Sequence, residues 1–97
     1  MHATQGNVLI DFWGPRCQPC LQMMPKILEV ETAADGALTV LKVNAPENRE
    51  LCRRLGVMSL PTYVFWQDGQ EVGRLSGNPT ESEIATTAAR LYKGEDS

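Results

Sequence analysis

Apolar residues along the chain fall into stretches whose spacing changes from one to the next, and each spacing predicts an element. Val8-Leu9-Ile10-Asp11-Phe12-Trp13 is apolar on both alternating sets of positions, the pattern of a central strand covered on both faces. From Cys17 to about Ala34, residues Leu21, Met24, Ile27, Leu28 and Val30 recur at three- and four-residue steps, which predicts a helix with one buried face. Pro25 deprives that helix of one backbone hydrogen bond, and Asp35-Gly36 stops it. Leu38 to Val43 reads as a second strand, and Pro46 to Leu55 as a short helix that buries Leu51 and Leu55 and ends at Gly56. Tyr63 to Trp66 and Glu71 to Leu75 flank Gln67-Asp68-Gly69-Gln70, an antiparallel hairpin with an Asp-Gly turn. Thr80-Glu81-Ser82-Glu83 is a capping box, and Ile84, Ala88, Leu91 and Tyr92 form the apolar stripe of a closing helix. This order predicts an α/β domain: a mixed four-stranded sheet flanked by helices.

A length of 97 residues supports one domain, residues 1-97 with a core over 7-92, and 42% apolar with 22% charged residues suits a globular chain. The formal net charge of −3, with no basic cluster, argues against a nucleic-acid partner, which needs concentrated Lys and Arg to neutralise phosphates. No run of 18 apolar residues occurs and Met1 to Gly6 is polar, so neither a membrane span nor a signal peptide is expected, and a cytoplasmic location is.

Three cysteines do not make a stapled secreted scaffold, but two of them, Cys17 and Cys20, stand three positions apart at the start of a predicted helix. A disulfide can close between residues so placed with little backbone movement. At the helix N-terminus, unpaired N–H groups and the positive end of the helix dipole favour a thiolate, so Cys17 is expected to be the nucleophile with a lowered pKa. Cys20, one turn further in, is expected to be the buried resolving thiol. Asp11 is the one intruder in the central strand: it either reaches water at the strand end or is a buried acid whose pKa desolvation raises. Cys52 is expected to be a packing residue, and Arg49, Arg53 and Arg54 among Glu47 and Glu50 to form a solvated face. A zinc module built on Cys17, Cys20, Cys52 and His2 would lack a second close pair of ligands.

The stretch Asp11-Phe12-Trp13-Gly14-Pro15-Arg16-Cys17-Gln18-Pro19-Cys20 resembles the active-site segment of thioredoxins. Pro25 in the following helix, Lys42 and Asn44 in the next strand, Leu60-Pro61-Thr62, Asp68-Gly69 and Gly77 extend the likeness over about residues 7 to 92. The resemblance implies the thioredoxin fold and a thiol-disulfide oxidoreductase that reduces protein disulfides through Cys17 and Cys20, with Asp11 trading protons with Cys20. It further implies that Pro61 is cis, that Trp13, Leu60, Pro61 and Gly77 meet substrate, and that Arg16, Gln18, Pro19 and Lys42 tune the redox pair. No cofactor beyond the dithiol and no metal is implied; the expected partners are disulfide-containing proteins and a thioredoxin-reductase-like electron donor. The competing reading is a non-catalytic interaction module, which has no need of Asp11, Pro61 and both cysteines together.

The chain departs from the family pattern in three places. Arg16 stands where the family usually has Trp, and Gln18 where it has Gly between the cysteines; both bear on the potential, and Arg16 should make it less negative. The family's first strand and most of its first helix have no counterpart beyond Met1 to Gly6. Residues 38-43 should therefore be a bare sheet edge, covered either by Met1 to Gly6 or by a second chain in a weak homodimer.

Overall fold

The computed structural model describes residues 6–93. Its elements run β1 (Asn7–Trp13), α1 (Gln18–Ala33), β2 (Thr39–Asn44), a 3₁₀ turn (Ala45–Glu47), α2 (Arg49–Leu55), β3 (Thr62–Gln67), β4 (Gln70–Ser76) and α3 (Glu81–Lys93). The four strands form one mixed sheet in the order β2-β1-β3-β4, with β1 parallel to β2 and antiparallel to β3. A strand with neighbours on both sides and helices on both faces has no solvated side, which is why β1 carries apolar residues at consecutive positions.

Alternation along β1 sends its side chains to two cores. Leu9 joins Tyr63, Phe65, Ile27, Val30, Ile84 and Ala88 between the sheet and the α1/α3 layer. Phe12 joins Val64 and Cys52 on the opposite face, under α2. Each fully buried large apolar side chain contributes about 1.5–3 kcal/mol, so the two layers together dominate the stability.

Local signals set the boundaries. In the β3–β4 turn, Asp68 and Gly69 have φ of 52° and 87°, the doubly left-handed turn whose twist matches the flanking strands. Gly6 is tied to this turn by its N–H to Asp68 Oδ1 at 2.9 Å and by its carbonyl, which accepts the Asp68 N–H at 3.1 Å. At the start of α3, Thr80 N–H donates to Glu83 Oε1 at 2.8 Å and Glu83 N–H to Thr80 Oγ1 at 3.0 Å, the reciprocal pair the sequence predicts. The left-handed Gly56 ends α2, whose terminal carbonyls at Leu55 and Gly56 accept hydrogen bonds from the Arg74 guanidinium on β4.

Two helical expectations are corrected. Leu28 is 57% exposed and Leu51 is 38% exposed, although periodicity predicts both to be buried. Consecutive helical residues are about 100° apart, and α1 spends its inward direction on Cys20, Ile27 and Val30, which turns Leu28 outward. The seven-residue α2 has room for one fully inward position; Cys52 takes it, with Leu55 half-buried beside it. Pro46 belongs to the 3₁₀ turn rather than to α2.

The sheet's two outer edges differ. On β4, Phe65 pairs with Gly73 but Trp66 with Glu71, so Val72 is an extra residue that bulges the strand. On β2, which among the described residues pairs with β1 alone, the Val40 N–H donates to Glu31 Oε2 at 3.1 Å. Of Met1 to Gly6, one of the two covers considered for this edge, Met1 to Gln5 lies outside the described residues, while Gly6 is held at the β3–β4 turn.

Tyr92 fastens α3 to the sheet. Its hydroxyl donates to the Val8 carbonyl at 2.7 Å and accepts the Trp66 N–H at 3.3 Å, and its ring packs against Phe65 with centroids 6.0 Å apart. Tyr92→Phe keeps the ring and strands both backbone groups, so it should destabilise the protein by about 1–2 kcal/mol in urea unfolding. A midpoint within error of the parent protein's would show that the ring alone secures the helix.

Candidate active site

Strand β1 ends at Trp13, and the chain turns through Gly14, Pro15 and Arg16, closed by a hydrogen bond from the Cys17 N–H to the Gly14 carbonyl at 3.1 Å. Cys17 is the N-cap of α1, and its sulfur accepts the Cys20 N–H at 3.2 Å, the position a Ser or Asp oxygen takes in an ordinary cap. Pro19, in the first turn, costs the helix nothing because N–H groups there have no intrahelical partner. Cys17 and Cys20 are joined in a disulfide, their Cα atoms 5.2 Å apart. The two sulfurs are unequal: Cys17 is half-buried, while Cys20 is 1% exposed. An N–H aimed at the Cys17 sulfur, added to the helix dipole, favours negative charge there.

Asp11 on β1, six positions before Cys17, is 1% exposed, with neither carboxylate oxygen hydrogen-bonded among the described residues. In register it faces Lys42 on β2 and Tyr63 on β3, so the three side chains form a row across the sheet. The row lies on the face that α1 covers, the face to which Leu9 and Tyr63 contribute. Burial pushes the Asp11 carboxyl from 3.8 up to about 6, and the Lys42 ammonium opposes the rise. The Tyr63 hydroxyl is also buried with no hydrogen-bond partner among the described residues; burial and then the Asp11 charge raise its pKa. A carboxyl that titrates near neutrality is matched to accepting and returning a proton at physiological pH.

In front of Cys17 is an open groove of about 510 Å³ whose walls include Gly14, Arg16, Pro46, Arg49 and Leu60. A Cβ on Gly14 would stand 3.2 Å from Leu60 Cδ1 and 3.6 Å from Pro46 Cδ, so the bare glycine lets these walls close together. The Leu60–Pro61 peptide is cis, as expected, and Pro61 is fully buried beneath it.

The structure brings Arg16, Cys17 and Leu60 together in this groove. Trp13, Pro61 and Gly77 are not among its lining residues: Trp13 is half-buried at the end of β1, and Gly77 follows β4 with a φ of 81°. Gln18 and Pro19 are exposed on the first turn of α1. Cys52 packs with Phe12 and Val64 in the α2-side core, a half-buried packing residue by expectation and a buried one in fact. Sequence reasoning missed Pro46 and Arg49 as walls of the groove, and the Tyr63 hydroxyl as a neighbour of Asp11. Arg49 belonged to the face read as solvated; Arg53 and Arg54 do pair with Glu50 at the surface, but Arg49 turns toward Cys17. Tyr63 carries a signal, since its place on the strand after Pro61 fixes which face it shares once the register with β1 is known.

Residues 1–90 match the family model described as Thioredoxin. A thioredoxin from Alicyclobacillus acidocaldarius is 36% identical over 93 residues, covering 94% of this chain and 89% of its own. Thioredoxin 1 from a Nostoc strain is 34% identical over 80 residues, covering 82% of this chain and 75% of its own. Among solved structures, Fasciola hepatica thioredoxin superposes with a TM-score of 0.84 at 29% identity, covering 92% of this chain and 84% of that one. With an asymmetric Cys17–Cys20 pair at the head of α1 and relatives of this kind, the chain belongs to the thioredoxin family and is a thiol-disulfide oxidoreductase.

Proposed function

We propose that the protein works as a reductant of protein disulfides, with Cys17 as the attacking thiol and Cys20 as the resolving one. The observation that carries this reading is the asymmetry of the pair: Cys17 opens onto the groove and receives an amide hydrogen bond, whereas Cys20 is enclosed. In the reduced protein the Cys17 thiolate attacks one sulfur of a substrate disulfide, forming a mixed disulfide and expelling a substrate thiolate. Cys20 then gives its proton to the Asp11 carboxylate and attacks the Cys17 sulfur, closing Cys17–Cys20 and releasing the second substrate thiolate. The substrate gains two electrons and, from water and Asp11, two protons. An electron donor of the thioredoxin-reductase kind returns the pair to the dithiol.

The remaining expected residues take supporting parts in this proposal. Leu60 offers backbone beside Cys17 along which an extended substrate chain can lie, positioned by the buried Pro61, with Trp13 and Gly77 at the margins of contact. Arg16 favours the thiolate through its charge, Gln18 and Pro19 shape the turn between the sulfurs, and Lys42 moderates Asp11.

Cys17→Ser should abolish disulfide reduction, while Cys20→Ser should still attack and then remain trapped as a mixed disulfide. Mass spectrometry after mixing with a disulfide substrate distinguishes the two, and trapping by Cys17→Ser instead would reverse the assignment. In the reduced protein, alkylation by iodoacetamide at pH 6 should strike Cys17 first, and more slowly in Arg16→Trp.

Asp11 links rate to stability. Its pKa is higher in the folded chain, so the native state holds that proton more tightly than the unfolded chain does and loses relative stability as pH rises from about 4 through about 6. A rise from 3.8 to about 6 corresponds to roughly 3 kcal/mol above that window and to none below it. Asp11→Asn should therefore be more stable than the parent by that order at pH 7.5, with the difference vanishing near pH 4. The same substitution should slow release from the mixed disulfide by about 100-fold or more at pH 7. An unchanged release rate would remove Asp11 from the mechanism.

The outer edge of β2, unpaired among the described residues, supports association of two chains through residues 38-43, opposed by the Glu31 carboxylate at Val40. Sedimentation velocity across a hundred-fold range of concentration should show a weak dimer. A constant monomer, with slow hydrogen exchange at the β2 amides, would exclude it.

A further inference from the structure

The groove at Cys17 does not end there. A second hollow of about 520 Å³ runs along α2 toward Cys52 and shares Pro46, Arg49 and Leu60 with the first, so the two form one continuous trough. Every charged residue lining it is an arginine: Arg16 and Arg49 beside Cys17, and Arg53 further along. Glu47 in the 3₁₀ turn and Glu50 on α2 are close in sequence to these arginines, yet neither lines the trough. Glu50 is engaged by Arg53 and Arg54, whereas Arg16 and Arg49 make no ion pair among the described residues. The chain as a whole carries a formal charge of −3, opposite in sign to the charges that line this trough.

The rest of the lining is apolar. Val57, Met58 and Leu60 line it, and Met58, 94% exposed, has a flexible and polarizable side chain free to adapt to an occupant. An occupant that fits has an extended backbone at Leu60, an apolar side chain against Met58, and carboxylates within reach of Arg16 and Arg49. A guanidinium presents planar paired donors that suit a carboxylate.

We propose that the trough selects, among protein disulfides, those whose attacked cysteine is flanked by acidic residues, with Arg16 and Arg49 as the specificity-determining side chains. The proposal rests on the reading that Cys17 attacks substrate disulfides and adds to it the class of substrate. Both arginines are solvent-exposed, so each contact is worth at most about five-fold, acts largely on the rate of encounter and is weakened by salt.

The test uses the reduced protein and three peptides, each closed by one disulfide and identical except that the residues flanking the attacked cysteine are Glu, Gln or Lys. The second-order rate constant of the first exchange is measured by acid quenching and mass analysis. At low ionic strength the Glu peptide should react about ten-fold faster than the Lys peptide, with Gln between them, and the ratio should fall to about two-fold in 0.5 M salt. Arg49→Gln and Arg16→Gln should each reduce the Glu/Lys ratio, and together remove it. Because the ratio compares peptides on one protein, any change in the Cys17 thiolate made by Arg16→Gln cancels. Arg90→Gln, which removes an exposed arginine from α3 outside the trough, should leave the ratio as it is. Equal rates for all three peptides would overturn the acidic preference and leave disulfide reduction standing. A preference that survives the Arg16→Gln/Arg49→Gln double substitution would overturn the assignment to the trough. Failure of every peptide to exchange would overturn the role given to Cys17, and the proposal with it.

Discussion

The architecture depends on burying one strand on all four sides. β1 is hydrogen-bonded along both edges, to β2 and β3, and covered on both faces, so its backbone groups are satisfied only when the sheet is complete. That enclosure makes the strand a rigid arm, and its end delivers the chain into the turn from which α1 begins. The redox pair thus sits where a fixed strand hands over to a helix N-terminus. Rigidity comes from the first and an electrostatic bias from the second.

The same enclosure explains why the polar residues of the core are concentrated where they are. Asp11 and the Tyr63 hydroxyl are buried without hydrogen-bond partners among the described residues, on adjacent strands of the sheet face that α1, the helix holding Cys20, covers. Buried polar groups in native proteins are nearly always satisfied, so a pair of orphans in one row departs from what stability alone favours. The core on the opposite face, built from Phe12, Val64 and Cys52, shows the apolar solution available to this fold when no proton has to move.

Much of this was legible in the sequence because its determinants are local. The Asp68-Gly69 turn, the Thr80–Glu83 box, the Gly56 stop and the spacing of Cys17 and Cys20 each specify geometry within a few residues, and each appears as read. Strand ends moved by a residue, and Leu28 and Leu51 came out exposed, because periodicity says that a helix has an apolar face without saying how wide a neighbour it meets. What could not be read were contacts made by the register between strands and by the packing of α2 against the turn before α1. Arg49 reaches the Cys17 groove, and Tyr63 shares a row with Asp11, only because separate elements are brought together. Both residues belong to the site rather than to its scaffold, so what sequence spacing leaves hidden includes part of the site itself.

The two outer strands differ in a way that bears on how the protein behaves in a crowded or stressed solution. β4 is spoiled as a template by shape: the extra Val72 bends it, and no change of solvent straightens a bulge. β2 is guarded by a carboxylate, Glu31 on Val40, and a charge is a conditional guard that salt screens. One edge of the sheet is closed permanently and the other under terms set by the medium. Colloidal stability is then directional, and any fibre or precipitate that forms at high salt should grow outward from the β2 side of the sheet.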